Sequence, residues 1–345
     1  MAGEHWTDDR AIEAWLTYMR TARGRSERTI EAYRLAMGRL REFLQQDGRS
    51  VIDATAAELE MFCGLWLHKR GVVARSRKPY ISAVKGFYTW LRAKGIVKVN
   101  AGQDLLHPIT GKPLPRTISL ANAERLMWAP DLATFIGIRD ATILSLLIGC
   151  GLRVSGITSL NESHLKTMDI DGAVRMVVRV LEKGNKERLM PVPREAEMLL
   201  RVYLGHEELA DVDRDVVDRR GQPDRVLFVS VRSTKLDAAQ HRGEGRRLTR
   251  KAVHDIIQRY GKRLGIPVDE LHPHALRHLF GTELTEEDVP TAAVADLMGH
   301  QDIKSTAVYI QLAMRRKSSL VDKHGPLGRM KTPVGDLLKR LPPNN

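Results

Sequence analysis

The sequence predicts a mainly α protein in two parts: a helical N-terminal unit, then a larger α+β unit carrying a small β-sheet. Three observations support that expectation. Through the first hundred residues the apolar positions recur at helical spacing. Pro108, Gly111, Pro113 and Pro115 then interrupt the pattern. Beyond them, helical periodicity is mixed with the run AVRMVVRVLEKGNKERLMPV, which reads as two short strands joined by a Gly-Asn turn. A chain of 345 residues is long for one ordinary domain and comfortable for two.

In SERTIEAYRLAMGRLREFL, Ser26 can cap a helix whose Ile30, Tyr33, Met37, Leu40 and Leu44 fall three and four apart on one face. In RSRKPYISAVKGFYTWLRAKG, Ile81, Val84, Tyr88 and Leu91 form a second apolar face, and Gly95 is a C-terminal stop. NAGQDLLHPITGKPLPRTISL is the linker. ATILSLLIGCGLR predicts a buried helix that ends at its glycines, and the hairpin follows. Helical patterns then occupy about 194–207, 249–264, 274–287 and 291–298. The polar stretch 211–245 is expected to be a surface excursion, with VLFVSV as one short strand inside it. Gly325, Pro326 and Gly328 mark a flexible break, after which TPVGDLLKRL can form a short amphipathic helix over 333–341.

Hydrophobic residues make up 43% of the chain and charged residues 28%, an ordinary globular balance. No apolar run approaches the ~18 to 20 residues that span a bilayer, and the N-terminus lacks the pattern of a secretory signal. Cys63 and Cys150 supply neither a disulfide framework nor a four-ligand zinc set. A cytoplasmic protein is expected. Lys and Arg total 55 against 42 Asp and Glu, a net charge of +13, which favours a polyanionic partner. Residues 61–103 contain no acid at all, while Lys78, Lys85 and Arg92 recur every seven residues beside the apolar face. Arg75, Arg77, Lys78, Lys85 and Arg92 are therefore candidates for contacting DNA phosphates, with Lys186 a further one in the second unit.

HPHALRH, residues 272–278, crowds three histidines and an arginine together. Pro273 suits the first turn of a helix, which places His274 and Arg277 on one face near the positive end, where phosphate is attracted. A zinc site would want Cys or carboxylate partners, and this segment has none.

Other segments complete a pattern. GCGLRVSGI holds Arg153, LEKGNKERLMPV holds Lys183, and LMGHQDIKSTAVY holds His300 and, nine residues on, Tyr309. In this order and spacing the chain resembles the tyrosine recombinase (phage integrase) family, from about residue 8 to 315. The resemblance implies a SAM-like helical core-binding domain over 8–100, a linker over 101–118, a catalytic domain over 119–320, and a tail over 321–345 for contact between protomers.

The residue chemistry agrees. Arg153 and Arg277 can clamp phosphate oxygens with always-charged guanidinium forks, and His300 can add a hydrogen bond. Tyr309, with a phenol pKa near ~10, needs a base, and His274 is the candidate. Lys183 can protonate the leaving sugar oxygen, with Lys186 as its rival. The resemblance further implies a 3′-phosphotyrosine intermediate, double-stranded recombination sites as substrate, a homo-tetramer that passes through a Holliday junction, and no metal or other cofactor. An accessory DNA-bending or directionality factor is a possible partner. With only ten residues before Ala11, no separate arm-binding domain is expected. A compact recombinase that integrates or excises a mobile element is expected, at the nucleoid; the alternatives are a chromosome-dimer resolvase of the Xer type and a non-catalytic DNA-binding protein that retains the fold. Two departures stand out: Gly156 replaces the family's usual acidic residue, and Glu182 the glycine before the hairpin lysine.

Overall fold

The computed structural model describes residues 6–111, 117–170, 172–181, 187–218, 220–231, 236–237, 239–287, 289–298, 317–331 and 333. The chain divides into two units, Met1–Pro113 and Leu114–Asn345.

Unit one is helical. It comprises α1 (Asp8–Thr21), α2 (Glu27–Gln45), α3 (Ala56–Met61), a π-helical turn (Phe62–Trp66), α4 (Leu67–Lys69) and α5 (Ala74–Ala93). Thr7, Ser26 and Thr55 cap α1, α2 and α3 with their hydroxyls, and Glu58 closes a capping box on Thr55. The expected faces are buried: Ile30, Met37, Leu40 and Leu44 on α2, and Ile81, Val84, Tyr88 and Leu91 on α5. Trp15 joins them, stacking on Tyr33 at 5.2 Å and meeting Phe87 edge-on at 5.5 Å. The π turn gathers Phe62 and Trp66 around Phe43. Gly95 ends α5 with φ +70, a left-handed conformation that costs glycine nothing.

Unit two is built around α7 (Phe135–Gly149), in which every residue except Ile136 is buried. Its one buried carboxylate is fully satisfied: Asp140 accepts from Arg139 at 2.7 Å, Arg259 at 2.6 Å and the Tyr260 hydroxyl at 3.1 Å. Around it lie α6 (Leu120–Met127), α8 (Val154–Thr158), α9 (Arg194–Leu204), α10 (Glu207–Ala210), α11 (Arg250–Arg263), α12 (Pro273–Glu286) and α13 (Thr291–Leu297). The expected hairpin is present as β2 (Ala173–Leu181) against β3 (Glu187–Pro191), in register Val178 to Met190. A further strand, β1 (Leu165–Ile170), pairs with the other edge of β2, so the sheet runs β1-β2-β3.

Three expectations are corrected. VLFVSV does not form a strand ladder; Val226 and Val229 make only isolated bridges. Its backbone groups bond to scattered partners instead: Val226 N–H to Arg214 O, Leu227 N–H to Leu160 O, and Ser230 N–H to Arg246 O. The stretch 211–245 is also better anchored than a surface excursion would be. Within it β4 (Asp215–Val217) pairs with β5 (Pro223–Arg225). Buried Arg214 meets Glu162 at 2.6 Å, and Asp224 accepts from Asn161 and Ser163. The break at Gly325 is likewise not loose. Residues 317–324 and Pro326–Arg329 are helical, and Leu327 is buried against Gly149, where an added Cβ would lie 2.5 Å from Leu327 Cδ1. Of the stretch 333–341, all but Pro333 lies outside the described residues. No helix among the described residues is long and apolar enough to cross a membrane.

Candidate active site

The site begins where α7 ends. Gly151 adopts φ +56, and a Cβ there would sit 2.4 Å from Phe280 Cδ1, so both backbone conformation and space demand glycine. This turn delivers Arg153 to the N-cap of α8 in extended conformation (φ −69, ψ 145). Gly156, one turn further on, is buried, with Val180 of β2 so close that an added Cβ would meet its Cγ1 at 2.9 Å. The family's acidic residue would fit at this position only if the Val180 side chain shifted.

The second contribution comes from α12. His272 is its N-cap, with Nδ1 accepting the Ala275 N–H at 3.0 Å, and Pro273 occupies the first turn as expected. One of the three clustered histidines thus shapes the helix, a role the sequence did not reveal. Arg277 is buried at 5% exposure and donates from Nη1 to Gly151 O and from Nη2 to Met298 O. Its guanidinium is therefore bound to the turn that presents Arg153. His274 is exposed on the same helix. Partial desolvation, then His272, His278, Arg277 and Arg153, hold its imidazole below the ordinary histidine range, so it is neutral at pH 7.

A third guanidinium, Arg188 of β3, was not singled out from sequence. It is 8% exposed and donates to Leu297 O at 2.6 Å. Burial, then Arg153 and Arg188, press the Arg277 guanidinium down to about 9, still charged at neutral pH. Burial and Arg188 lower Arg153 as well. Three mutually repelling cations converge in one partly dry region, an arrangement that a bound anion would relieve. Next to it a cleft of about 520 Å³ is lined by Ser155, Thr158, His164, Arg179, Arg247 and Arg250, among others.

The structure thus brings Arg153, His274 and Arg277 together. Lys183, Lys186, His300 and Tyr309 lie outside the described residues. In unit one, Arg75 and Arg92 are exposed and Lys78 is half-buried on α5. Arg77 donates to Gly64 O at 3.1 Å. Lys85 is engaged by its own chain, its ammonium donating to Gln103 O and Leu105 O at 2.8 Å each. That tie joins α5 to the segment leaving the unit, and no helical spacing could have signalled it.

Comparison with known proteins accounts for both units. Residues 116–316 match the phage integrase family and residues 12–95 the phage integrase N-terminal SAM-like domain. The tyrosine recombinase XerD of Pseudomonas putida is 32% identical over 323 residues, covering 93% of this chain and 99% of the relative. Tyrosine recombinase XerC of Pseudomonas syringae pv. syringae is 32% identical over 330 residues, 95% of this chain and 100% of the relative. Among solved structures, XerH site-specific recombinase bound to difH substrate superposes with a TM-score of 0.60 at 16% identity, over 89% of this chain and 84% of that one. A lambda integrase dimer bound to a COC′ core site gives 0.57 at 16% identity, over 89% of this chain and 77% of that one. With its motifs, its fold and both of its matched regions in agreement, the chain belongs to the phage integrase family of tyrosine recombinases.

Proposed function

We propose that the protein is a site-specific DNA recombinase that cleaves and rejoins duplex DNA through a 3′-phosphotyrosine, integrating or excising a mobile element. The observation that carries the reading is the convergence of Arg153 and Arg277, with Arg188 behind them, into a cationic pocket suited to one phosphodiester. In this reading the two front arginines bind the non-bridging oxygens and offset the charge that builds as phosphorus becomes five-coordinate. Tyr309 supplies the nucleophilic oxygen and His300 a further hydrogen bond to the phosphate. His274, neutral at pH 7, accepts the phenol proton. Lys183 gives a proton to the departing 5′-oxygen, leaving a free 5′-hydroxyl. The new phosphotyrosine ester keeps the bond energy of the phosphodiester it replaces, so attack by a 5′-hydroxyl reverses the step without ATP.

Arg75, Arg77, Lys78, Arg92 and Lys186 are assigned to DNA, whereas Lys85, expected from the sequence to contact DNA, is assigned to its own chain. The partners follow from the same reading: paired duplex sites, a homo-tetramer on them, the end of the 321–345 tail contacting a neighbouring protomer while Val321, Leu327 and Met330 pack in their own unit, and an accessory bending or directionality factor, all at the nucleoid in the cytoplasm. The solved lambda integrase tetramer bound to a Holliday junction, with a TM-score of 0.58, is an assembly of the proposed kind. Chromosome-dimer resolution fits the Xer relatives equally well. Domain limits of 8–100 and 119–320, with a linker over 101–118, are part of the proposal.

The test is strand cleavage on duplexes selected from a library by covalent trapping. Arg153→Ala should lower the cleavage rate by about 10²-fold or more, the scale of losing one preorganised oxyanion donor, and the parent should stay active in excess EDTA. Full activity of the Arg153 variant, or loss of cleavage in EDTA restored by zinc, would overturn the assignment.

A further inference from the structure

The C-terminal end of α13 is held by two buried arginines from different elements. A helix ends with carbonyls that have no partner within it and that carry partial negative charge. Here Leu297 O accepts from Arg188 of β3 at 2.6 Å, and the next carbonyl, Met298 O, accepts from Arg277 of α12. Arg277 in turn holds Gly151 O, two residues before Arg153. A continuous path of hydrogen bonds therefore runs from the arm of the hairpin, through the end of α13, to the guanidinium proposed to bind phosphate.

A guanidinium is an expensive way to terminate a helix in this position. Arg188 is 8% exposed, and burial pushes it down to about 10. It adds to the repulsion on both Arg277 and Arg153. Among the groups that favour its charge are the buried Cys150 and Asp296. Asp296 is also bridged by Lys317 at 2.8 Å. A neutral side chain of similar length would pack here without the desolvation penalty or the repulsion.

We propose that Arg188 is a positioning residue for the reaction: by fixing the Leu297 end of α13 it sets Met298 O, which together with Gly151 O fixes the plane of the Arg277 guanidinium at the phosphate. The inference rests on the role given to Arg277 above. It assigns to the hairpin arm a task separate from that of Lys183, so the sheet tunes the phosphate clamp as well as presenting a proton donor.

The test compares full-length Arg188→Met, Arg188→Lys and Arg277→Ala on one cleavable duplex, reading DNA affinity, single-turnover cleavage at saturating DNA, and melting temperature. Arg188→Met removes the buried charge at similar volume; the relief of repulsion offsets part of the lost bond to Leu297 O, so its melting temperature should fall by no more than a few degrees. Its affinity should stay within about 2-fold, while its cleavage rate falls by about 10- to 100-fold, the scale of a misplacement near 1 Å. Arg188→Lys, which can still reach Leu297 O, should recover part of the rate. A methylphosphonate at the scissile position carries one charge fewer and so demands less of the Arg277 clamp, and on it the Arg188→Met deficit should shrink. Parental cleavage by Arg188→Met, or an equal deficit on both substrates, overturns the inference while a slow Arg277→Ala leaves the phosphate-clamp reading standing. Loss of affinity and melting temperature together in both Arg188 variants also overturns it, since Arg188 would then be structural. Parental cleavage by Arg277→Ala refutes the clamp itself, and the inference with it.

Discussion

Adding one methyl group at Gly156 should destabilise the second unit, although alanine normally outperforms glycine in a helix. The usual gain is about 0.5–1 kcal/mol. Here the new Cβ would stand 2.9 Å from Val180 Cγ1, and Val180 is fully buried on β2, so neither partner can swing into solvent. Overpacking of this kind costs about 1–3 kcal/mol. The net expectation is a loss on the order of 1 kcal/mol, or about 2–4 °C in melting temperature for a unit of this size. Thermal and urea unfolding of the Gly156→Ala chain would measure it. Val180→Ala alone should cost about 2 kcal/mol through lost burial and a cavity, yet the double variant should be more stable than the sum predicts by about 1 kcal/mol, because each change relieves the other. A Gly156→Ala protein more stable than its parent, or strict additivity in the double variant, would refute the steric account. The same contact bears on the acidic residue of the family pattern: Gly156→Glu would need the Val180 side chain to shift.

Further expectations follow from the helices and histidines. Replacing Arg75, Lys78 and Arg92 together with Gln should flatten the log–log salt dependence of DNA binding by about two to three units. Lys85→Gln should leave that slope unchanged and lower stability, because its ammonium already caps Gln103 O and Leu105 O; a slope change of about one unit would give Lys85 back to the phosphates. His164, His241, His272 and His274 are all held below the usual histidine value, burial being the first cause in each. The unfolded chain therefore takes up protons first as the solution is acidified. Stability is complete above about pH 6.5 and is lost as pH falls through the folded values. Melting temperature should fall between about pH 7 and about pH 5, and less steeply in His272→Asn, which keeps a capping acceptor; a rise on acidification would contradict the desolvation of these rings.

Much of the architecture was legible because local signals and burial agree. Ser26 caps α2, the four aliphatic positions of its face are buried, and Pro273 opens α12. What escaped depends on contacts distant in sequence. LKTMDI in β1 shows little apolar alternation, and only Ile170 is buried; the strand exists because β2 offers it a hydrogen-bonding edge. VLFVSV has the composition of a strand, but its backbone groups bond to three separate segments. In the site, Arg153, His274 and Arg277 could be picked out as residue types suited to phosphate chemistry. Arg188 could not, since its meaning comes from a carbonyl 109 residues away. The capping role of His272 was hidden among histidines that invited a functional reading.

The most direct measurement is the chemical identity of the trapped bond. The parent protein would be incubated with a nicked suicide duplex, the covalent adduct digested, and the modified peptide sequenced by mass spectrometry. The account predicts a single 3′-phosphotyrosyl ester on Tyr309, a free 5′-hydroxyl on the released strand, and no adduct from Tyr309→Phe, which should still bind the duplex normally. An adduct on any other residue, or one formed by the phenylalanine variant, would contradict it.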